Sequence, residues 1–171
     1  QMTLSDNVRI SQWESDKNPK TVLEGTSLDR RLVDDCDTVM LLWRDKNRKL
    51  RSNDGHLSLE KMIKGHGMCQ FFAAYISRKE MEYMSPYDMF CQMADCYDGE
   101  MAANSDLILP AYTKEDMLRN KAEGKLSGVL AIEDGVCLEG RIERVQEFYD
   151  RGVRLITLLW NFENEIGFPC R

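Results

Sequence analysis

The chain has 171 residues, of which 43% are hydrophobic and 30% are charged, a composition typical of a folded globular protein and not of a disordered one. Its net charge of −6, with acidic and basic residues interspersed, argues against nucleic acid as a partner. No apolar run approaches the roughly 18 residues that a membrane span requires. The start of the chain also lacks the charged and then apolar pattern of a signal peptide.

The spacing and the surroundings of the six cysteines argue against a cysteine metal site. No two of them have the two-residue spacing of a zinc knuckle or a thioredoxin motif. Cys36, Cys69 and Cys137 lie in or beside predicted buried strands, where a free cysteine behaves as a small hydrophobic residue. We therefore expect reduced cysteines and a cytoplasmic protein.

The chain divides into a polar beginning and one longer domain. Residues 1–30 lack sustained periodicity and have no assigned role, whereas residues 31–171 contain no linker and are predicted to form one domain. A strand is predicted over 32–40, and Asp35 and Asp37 share one side of it because side chains alternate along a strand. Two such oxygen ligands are half of a metal site, although an isolated cluster of aspartates is more often a solvated turn.

The middle of the chain alternates between helices and apolar strands. The predicted elements, in order, are a helix over 56–63 capped at Ser58, a strand over 68–76, a helix from Ser85 to Asn104, a strand over 107–109 and a helix from Thr113 to Gly124. This alternation predicts a parallel α/β sheet.

The clearest candidate for a functional residue follows the next strand. Val129–Ile132 is a continuous apolar run, which predicts a strand buried on both faces, and it ends in Glu133 and Asp134. The carboxyl ends of the strands are where α/β folds bind ligands. Glu133 is therefore a candidate functional carboxylate, and the alternative is a solvated strand end or a capping partner for the following helix.

A helix and another strand follow this carboxylate. Ile142 and Phe148 belong to the apolar face of a helix predicted from Leu138 to Arg151, with Gly152 at its C-cap. The last apolar run predicts a strand over 153–159. Together with the strand before Glu133, these elements form one βαβ unit.

Five motifs stand out along the chain: Asp35-Cys-Asp-Thr38, Gly67-Met-Cys-Gln-Phe-Phe-Ala73, Ala131-Ile-Glu-Asp-Gly135, Leu138-Glu-Gly140, and Gly152-Val-Arg-Leu-Ile-Thr157 continuing to Trp160-Asn161. In order and spacing they resemble the first half of the catalytic domain of the membrane (renal-type) dipeptidase family, and its bacterial branch in particular. This family consists of zinc metallopeptidases, and the resemblance covers residues 31–169.

The resemblance implies both a fold and an activity. The implied fold is α/β, a parallel (β/α)8 TIM-type barrel of the amidohydrolase kind, with only about its first half present in this chain. The implied activity is that of a metal-dependent dipeptidase, in which a metal-activated water hydrolyses the peptide bond of a dipeptide. The complete family site holds two zinc ions at the carboxyl ends of the strands.

The resemblance also implies roles for individual residues. Glu133 matches the glutamate that bridges the two metals, and Asp37 matches an aspartate that binds one of them. Asp35 stands where the family has a histidine, so a shorter and negatively charged ligand replaces an imidazole. Trp160 and Asn161 lie where some relatives have a histidine that faces the substrate.

The resemblance accounts for only part of the family's metal site. The family's other histidine ligands lie on strands beyond residue 171, and the two histidines here, His56 and His66, are expected to be solvent-facing or structural. We therefore expect one zinc ion or none in this chain, and no hydrolysis by the isolated chain. The alternatives to a dipeptidase are a catalytically inactive half-barrel that acts as a binding module, and a related amidohydrolase acting on another small amide or lactone.

A half-barrel also has consequences for partners. It exposes strand edges and an uncovered last strand, which favours self-association or pairing with a completing C-terminal half.

Overall fold

The computed structural model describes residues 38–55 and 57–169. Asp35, Asp37 and His56 lie outside these residues, as does the predicted boundary between residues 30 and 31. The described elements are α1 (Thr38–Arg44), α2 (Leu59–Lys64), β1 (Cys69–Tyr75), α3 (Pro86–Ala103), β2 (Ile108–Pro110), α4 (Lys114–Ala122), β3 (Leu126–Glu133), α5 (Glu143–Asp150) and β4 (Val153–Thr157). Two short 3₁₀ turns cover Glu80–Glu82 and Gly135–Leu138.

Side-chain caps explain where three of these helices begin. The hydroxyls of Ser58 and Ser85 accept hydrogen bonds from backbone N–H groups three residues later, at 3.3 and 3.0 Å, and so begin α2 and α3. Thr113 and Asp116 form a capping box at the start of α4, in which each side chain bonds to the backbone of the other residue. All three predicted helix starts are confirmed.

The four described strands form one parallel sheet with β3 at its centre. β1 pairs with β3 from Cys69 opposite Ser127 to Tyr75 opposite Glu133. β2 lies beside the first residues of β3, on the side away from β1. β4 lies on that same side beside the last residues of β3, where Thr157 is opposite Glu133. The strand ends at Tyr75, Glu133 and Thr157 are thus level with one another, and the predicted parallel α/β architecture is confirmed.

The sheet has two faces because side chains alternate along each strand. On one face Phe72, Leu130 and Ile132 are at most 2% exposed and belong to the main hydrophobic core, which also contains residues of α1 and α3. The other face carries Phe71 and Leu155, which are 47% and 44% exposed, together with the Glu133 side chain. We call this second face the Glu133 face. The core therefore lies between the sheet and the helices, on the side away from Glu133.

Three predicted boundaries were wrong. Thr38–Met40 belongs to α1 and not to a strand, and Val39 and Met40 are buried in the core with the helix. The last strand ends at Thr157, not at residue 159, because Leu158 begins the turn-rich segment that follows. In both places an apolar run continues across the boundary of an element, so hydrophobicity alone did not show where the element ends.

The third wrong boundary is the start of α5. The helix begins at Glu143 and not at Leu138, because Glu139 and Gly140 have φ values of 48° and 69° and interrupt the helical path. The predicted end is confirmed, since Gly152 follows the helix with a φ of 104°. None of the described helices has the length and apolar character needed to cross a membrane.

Candidate active site at the carboxyl ends of the strands

Glu133 is the last residue of the central strand and lies in register between Tyr75 and Thr157. Its backbone carbonyl accepts a hydrogen bond at 2.7 Å from the N–H group of Ile76, so the pairing of β1 with β3 continues to the end of the strand. The side chain is half-buried. A rigid strand therefore places one carboxylate at the carboxyl edge of the sheet, where parallel α/β folds bind their ligands.

Asp134, the next residue, has a different environment. It is 3% exposed, and its Oδ1 atom accepts hydrogen bonds from the N–H group of Val136, at 3.0 Å, and from the side-chain amide of Asn164. These bonds begin the 3₁₀ turn after β3 and attach it to the segment after β4. Of the two adjacent carboxylates, Glu133 thus lies at the strand ends, and Asp134 holds the following turn against the segment after β4.

The segment after β4, residues 158–169, is held against the turn after β3. Asn164 donates a second hydrogen bond to the carbonyl of Leu158, at 2.9 Å, and its backbone pairs with Gly167. Gly135 lies directly beneath this segment, because a Cβ atom there would lie 3.0 Å from the Leu158 carbonyl oxygen. A glycine is needed at this position for the two segments to approach so closely.

Trp160 and Asn161, the predicted substrate-facing residues, both lie in this segment and are exposed. Asn161 lines an open cleft of about 830 Å³ at the carboxyl side of the sheet. The other residues that line it are Arg78, Phe162, Glu163, Phe168 and Pro169. The volume is in the range of small-ligand pockets, roughly 300–1,000 Å³.

Arg78 was not identified as a site residue from the sequence. It follows β1 by three positions and lies at the same edge of the sheet as Glu133. Its guanidinium donates a hydrogen bond to the backbone carbonyl of Glu163 and lies over the ring of Phe162, 5.2 Å from the ring centroid. A signal was present in the sequence, since Arg78 follows a buried strand just as Glu133 does.

The described residues fit a metal ion only in part. Glu133 offers oxygen ligands of a kind that Zn²⁺ accepts. Within residues 38–55 and 57–169, however, no three histidine, cysteine, aspartate or glutamate side chains come close enough to hold a metal ion. A zinc ion takes about four ligands, so the described residues alone do not complete a zinc site.

The described histidine and cysteines do not form a metal-binding cluster. His66 is exposed in the turn after α2, with a φ of 56°, as expected for a structural or solvent-facing residue. Cys69, Cys91, Cys96 and Cys137 are free thiols. Burial raises the pKa of the Cys137 thiol to about 12, so this side chain is a protonated core residue at neutral pH.

A comparison with models of protein families shows which family the chain belongs to. The model of the membrane dipeptidase family, peptidase family M19, matches residues 27–170. The chain belongs to the membrane dipeptidase family. Comparison with curated proteins gave no significant match.

Solved structures share the fold of this membrane dipeptidase family member. Dipeptidase AC, a metallopeptidase of family M19, is 19% identical with a TM-score of 0.66, over 73% of this chain and 41% of that one. A metallopeptidase from Rhodobacter sphaeroides, liganded with a phosphinate mimic of the dipeptide L-Ala-D-Ala, is 18% identical with a TM-score of 0.67, over 75% and 44%. An amidohydrolase from Pseudomonas aeruginosa is 20% identical with a TM-score of 0.58, over 66% and 32%.

These likenesses define which part of a larger fold is present. The chain spans less than half the length of the two family M19 structures that it matches. The expected fold is confirmed as part of a barrel of parallel strands and surrounding helices. The Glu133 face corresponds to the inside of such a barrel, because helices cover the opposite face of the sheet.

Proposed function

We propose that this chain forms part of a metal-dependent dipeptidase and that Glu133 binds the metal. One observation supports the proposal above the others. In a chain of the membrane dipeptidase family, a half-buried carboxylate ends the central strand, on the face of the sheet away from the helices. This is the place where barrels of this architecture hold their catalytic groups.

We extend the proposal to the remaining ligands and to the metal. Asp37, and Asp35 in place of the family's histidine, are proposed as further oxygen ligands. The proposed metal is Zn²⁺, with two ions in a complete site. A bound metal ion supplies a nucleophile at neutral pH by lowering the pKa of water. The described residues provide Glu133 alone, so hydrolysis requires the complete ligand set.

The substrate side of the site is proposed to lie over the segment after β4. Asn161 lines the cleft, and Trp160 precedes it in the segment that follows β4, the strand whose end is level with Glu133. A short peptide is an appropriate ligand for a cleft that is lined by both aromatic and polar side chains. We expect these residues to contribute to substrate binding and not to the chemical step.

Zinc binding tests the proposal directly. We expect Glu133→Gln to weaken Zn²⁺ affinity by at least about tenfold, because the variant loses a charged oxygen ligand while keeping the shape of the side chain. Affinity is measured by competition with a chromophoric chelator. Glu82→Gln is the matched control, since Glu82 is exposed in the 3₁₀ turn over Glu80–Glu82.

Hydrolysis separates this proposal from its two alternatives. In the protein that carries the complete ligand set, a dipeptidase releases amino acids from L-alanyl-L-alanine with zinc, and Glu133→Gln abolishes this release. Zinc affinity equal in the wild type and Glu133→Gln would count against Glu133 as a ligand. Zinc binding without turnover of any small amide indicates an inactive binding module. Turnover of an amide or lactone, but of no dipeptide, indicates a related amidohydrolase.

A further inference from the structure

A pocket separate from the cleft lies between α1, the loop that follows α1, and α3. Its volume is about 400 Å³, within the roughly 300–1,000 Å³ of small-ligand pockets. Both helices pack against each other and cover the sheet face opposite the Glu133 face, so this pocket is remote from the candidate active site. We call it the α1–α3 pocket. Its charged lining residues are Lys46, Arg48, Lys49, Asp95 and Glu100, and Trp43 is its aromatic wall.

The loop that carries the three cations is anchored at both ends. The Asp45 N–H group donates to the carbonyl of Leu41 in α1 at 3.1 Å, and the Arg48 N–H group donates to the Asp45 carbonyl at 2.9 Å. At the other end Leu50 is fully buried, and its N–H group donates to Oε2 of Glu100 at 2.8 Å. The backbone that presents the cations is therefore set before a ligand binds, which lowers the entropic cost of binding.

The acidic groups of the pocket are already engaged. Asp95 forms an ion pair with Arg151, and the buried Glu100 carboxylate accepts the hydrogen bond from the Leu50 backbone. Burial raises the pKa of the Cys96 thiol, which also lines the pocket, so this group is uncharged at neutral pH. The pocket therefore opposes an incoming anion less than its composition suggests.

The cations of the pocket, by contrast, are free to meet a ligand. Among the described residues no carboxylate lies within ion-pair distance of Lys46 or Lys49. Arg48 is 3.4 Å from Asp54, a residue that is 93% exposed, and such a surface pair contributes little. Three cations in one pocket of a chain with a net charge of −6 indicate a site for an anion. A phosphate group, with nearly two negative charges and three acceptor oxygens, can use all three cations at once.

Trp43 gives the pocket a second, apolar part. The ring is half-buried, and its Nε1–H group donates to Oε1 of Gln92 in α3 at 3.1 Å, which fixes the plane of the indole. An indole held in this way is a surface on which a flat ring can stack. A fixed aromatic wall beside a group of cations suits a ligand that has both a planar ring and a phosphate.

We propose that the α1–α3 pocket binds a small phosphate ester that carries a planar ring, which is the chemistry of a mononucleotide. The phosphate contacts Lys46, Arg48 and Lys49, and the ring stacks on Trp43. The proposal does not rest on the proposed dipeptidase function, because none of these residues belongs to the candidate active site. In the alternative, the lysines are solvated surface cations and the indole only covers the core.

Three probes separate the two parts of the proposed ligand. Adenosine 5′-monophosphate has the ring and the phosphate, adenosine has the ring alone, and inorganic phosphate has the anion alone. Dissociation constants are measured by isothermal titration calorimetry on the full chain at low ionic strength, in EDTA so that no metal ion holds the phosphate. We expect the monophosphate to bind at least about tenfold more tightly than either partial probe, since only it makes both contacts.

A charge-matched pair of double variants tests the cations. Lys46→Gln combined with Lys49→Gln should weaken binding of the monophosphate by about tenfold or more, because two charge-assisted contacts are lost. Lys64→Gln combined with Lys79→Gln has the same net charge, and both lysines are exposed outside the pocket, so this control should stay within about twofold of the wild type. Thermal unfolding of each variant is measured alongside.

Variants of Trp43 test the ring contact. Trp43→Leu should weaken binding of the monophosphate by about fivefold or more and change binding of inorganic phosphate by less than about twofold, since only the ring loses its partner. Trp43→Phe, which keeps an aromatic face, should lie between Trp43→Leu and the wild type. Arg78→Gln in the cleft should bind the monophosphate like the wild type.

Four results would overturn the proposal. They are no measurable binding of the monophosphate at millimolar concentration, equal binding in the two double lysine variants, binding of adenosine or of inorganic phosphate as tight as that of the monophosphate, and loss of binding in Arg78→Gln, which would place the probe in the cleft.

Discussion

At the scale of single residues, two adjacent carboxylates have different environments. Glu133 ends the central strand on the face away from the helices, whereas Asp134 is buried and accepts hydrogen bonds from Val136 and Asn164. The sequence presents them as one acidic pair, but the strand ends at Glu133, and Asp134 begins the 3₁₀ turn that follows. The geometry of a binding site depends on such buried supporting residues as well as on the ligands themselves.

Asp134→Ala should destabilise the fold by about 2 kcal/mol, because the buried Val136 N–H group and the half-buried Asn164 amide lose their acceptor and the 3₁₀ turn loses its cap. The measurement is urea unfolding of the wild type and the variant. Asp54→Ala is the control, since Asp54 is 93% exposed and its ion pair with Arg48 contributes little. A destabilisation of Asp134→Ala no larger than that of the control would show that the two hydrogen bonds are not structural.

At the scale of elements, capping residues determine where helices begin, and α4 is the clearest case. The Asp116 carboxylate accepts hydrogen bonds from the backbone N–H groups of Tyr112 and Thr113, both at 3.0 Å, and also pairs with Arg119. The bond from the Tyr112 backbone is the largest cause of a pKa lowered to about 2, with the Arg119 bond next. The charged form of Asp116 is therefore part of the cap.

This pKa predicts a pH dependence with a definite sign. The pKa in the folded protein is lower than the value of about 3.9 in an unfolded chain, so Asp116 contributes stability above that pH and loses it as the pH falls toward 2. The carboxyl carbon of Asp116, followed by NMR, should titrate with a midpoint near 2. The difference in unfolding free energy between wild type and Asp116→Asn should be constant above about pH 5 and shrink below about pH 4. A midpoint near 4 would refute the role of the charge.

Much of this element structure could be predicted from the sequence. Ser58, Ser85 and Thr113 were identified as helix starts, and the buried strand that ends at Glu133 was found from its apolar run, although it begins at Leu126 rather than Val129. These signals lie within a few residues of the element that they define. The start of α5 was missed because it depends on positive φ angles at Glu139 and Gly140, which a helical pattern of apolar residues does not reveal.

At the scale of the whole molecule, the two faces of the sheet are covered unequally by the rest of the described chain. The helices bury one face, whereas Phe71 and Leu155 on the Glu133 face, and Leu158, Trp160 and Phe162 beyond it, are 44–57% exposed. Among the described strands, β4 pairs only with β3, so its second edge carries unpaired backbone groups. Exposed apolar surface next to an unpaired strand edge favours association between chains.

We expect the purified 171-residue chain to self-associate through this surface. Sedimentation velocity over a range of concentrations should show an average mass that rises with concentration. Leu155→Lys should reduce the association, because it places a charge on the Glu133 face beside the edge of β4. Ile142→Lys, at a 75% exposed position just before α5, is the control. A monomer at all concentrations would show that the surface does not associate.

The sequence by itself determined the family, the parallel α/β class and the position of Glu133 at a strand end, because motifs, caps and apolar runs are local. Only the tertiary structure decided that Glu133 lies on the face away from the core, and that Arg78 meets Glu163, 85 residues later, across a cleft. The physical reason is the parallel pairing of β1 and β4 with β3. That pairing sets the ends of distant strands level with one another, and no local pattern in the chain encodes which segments then come into contact.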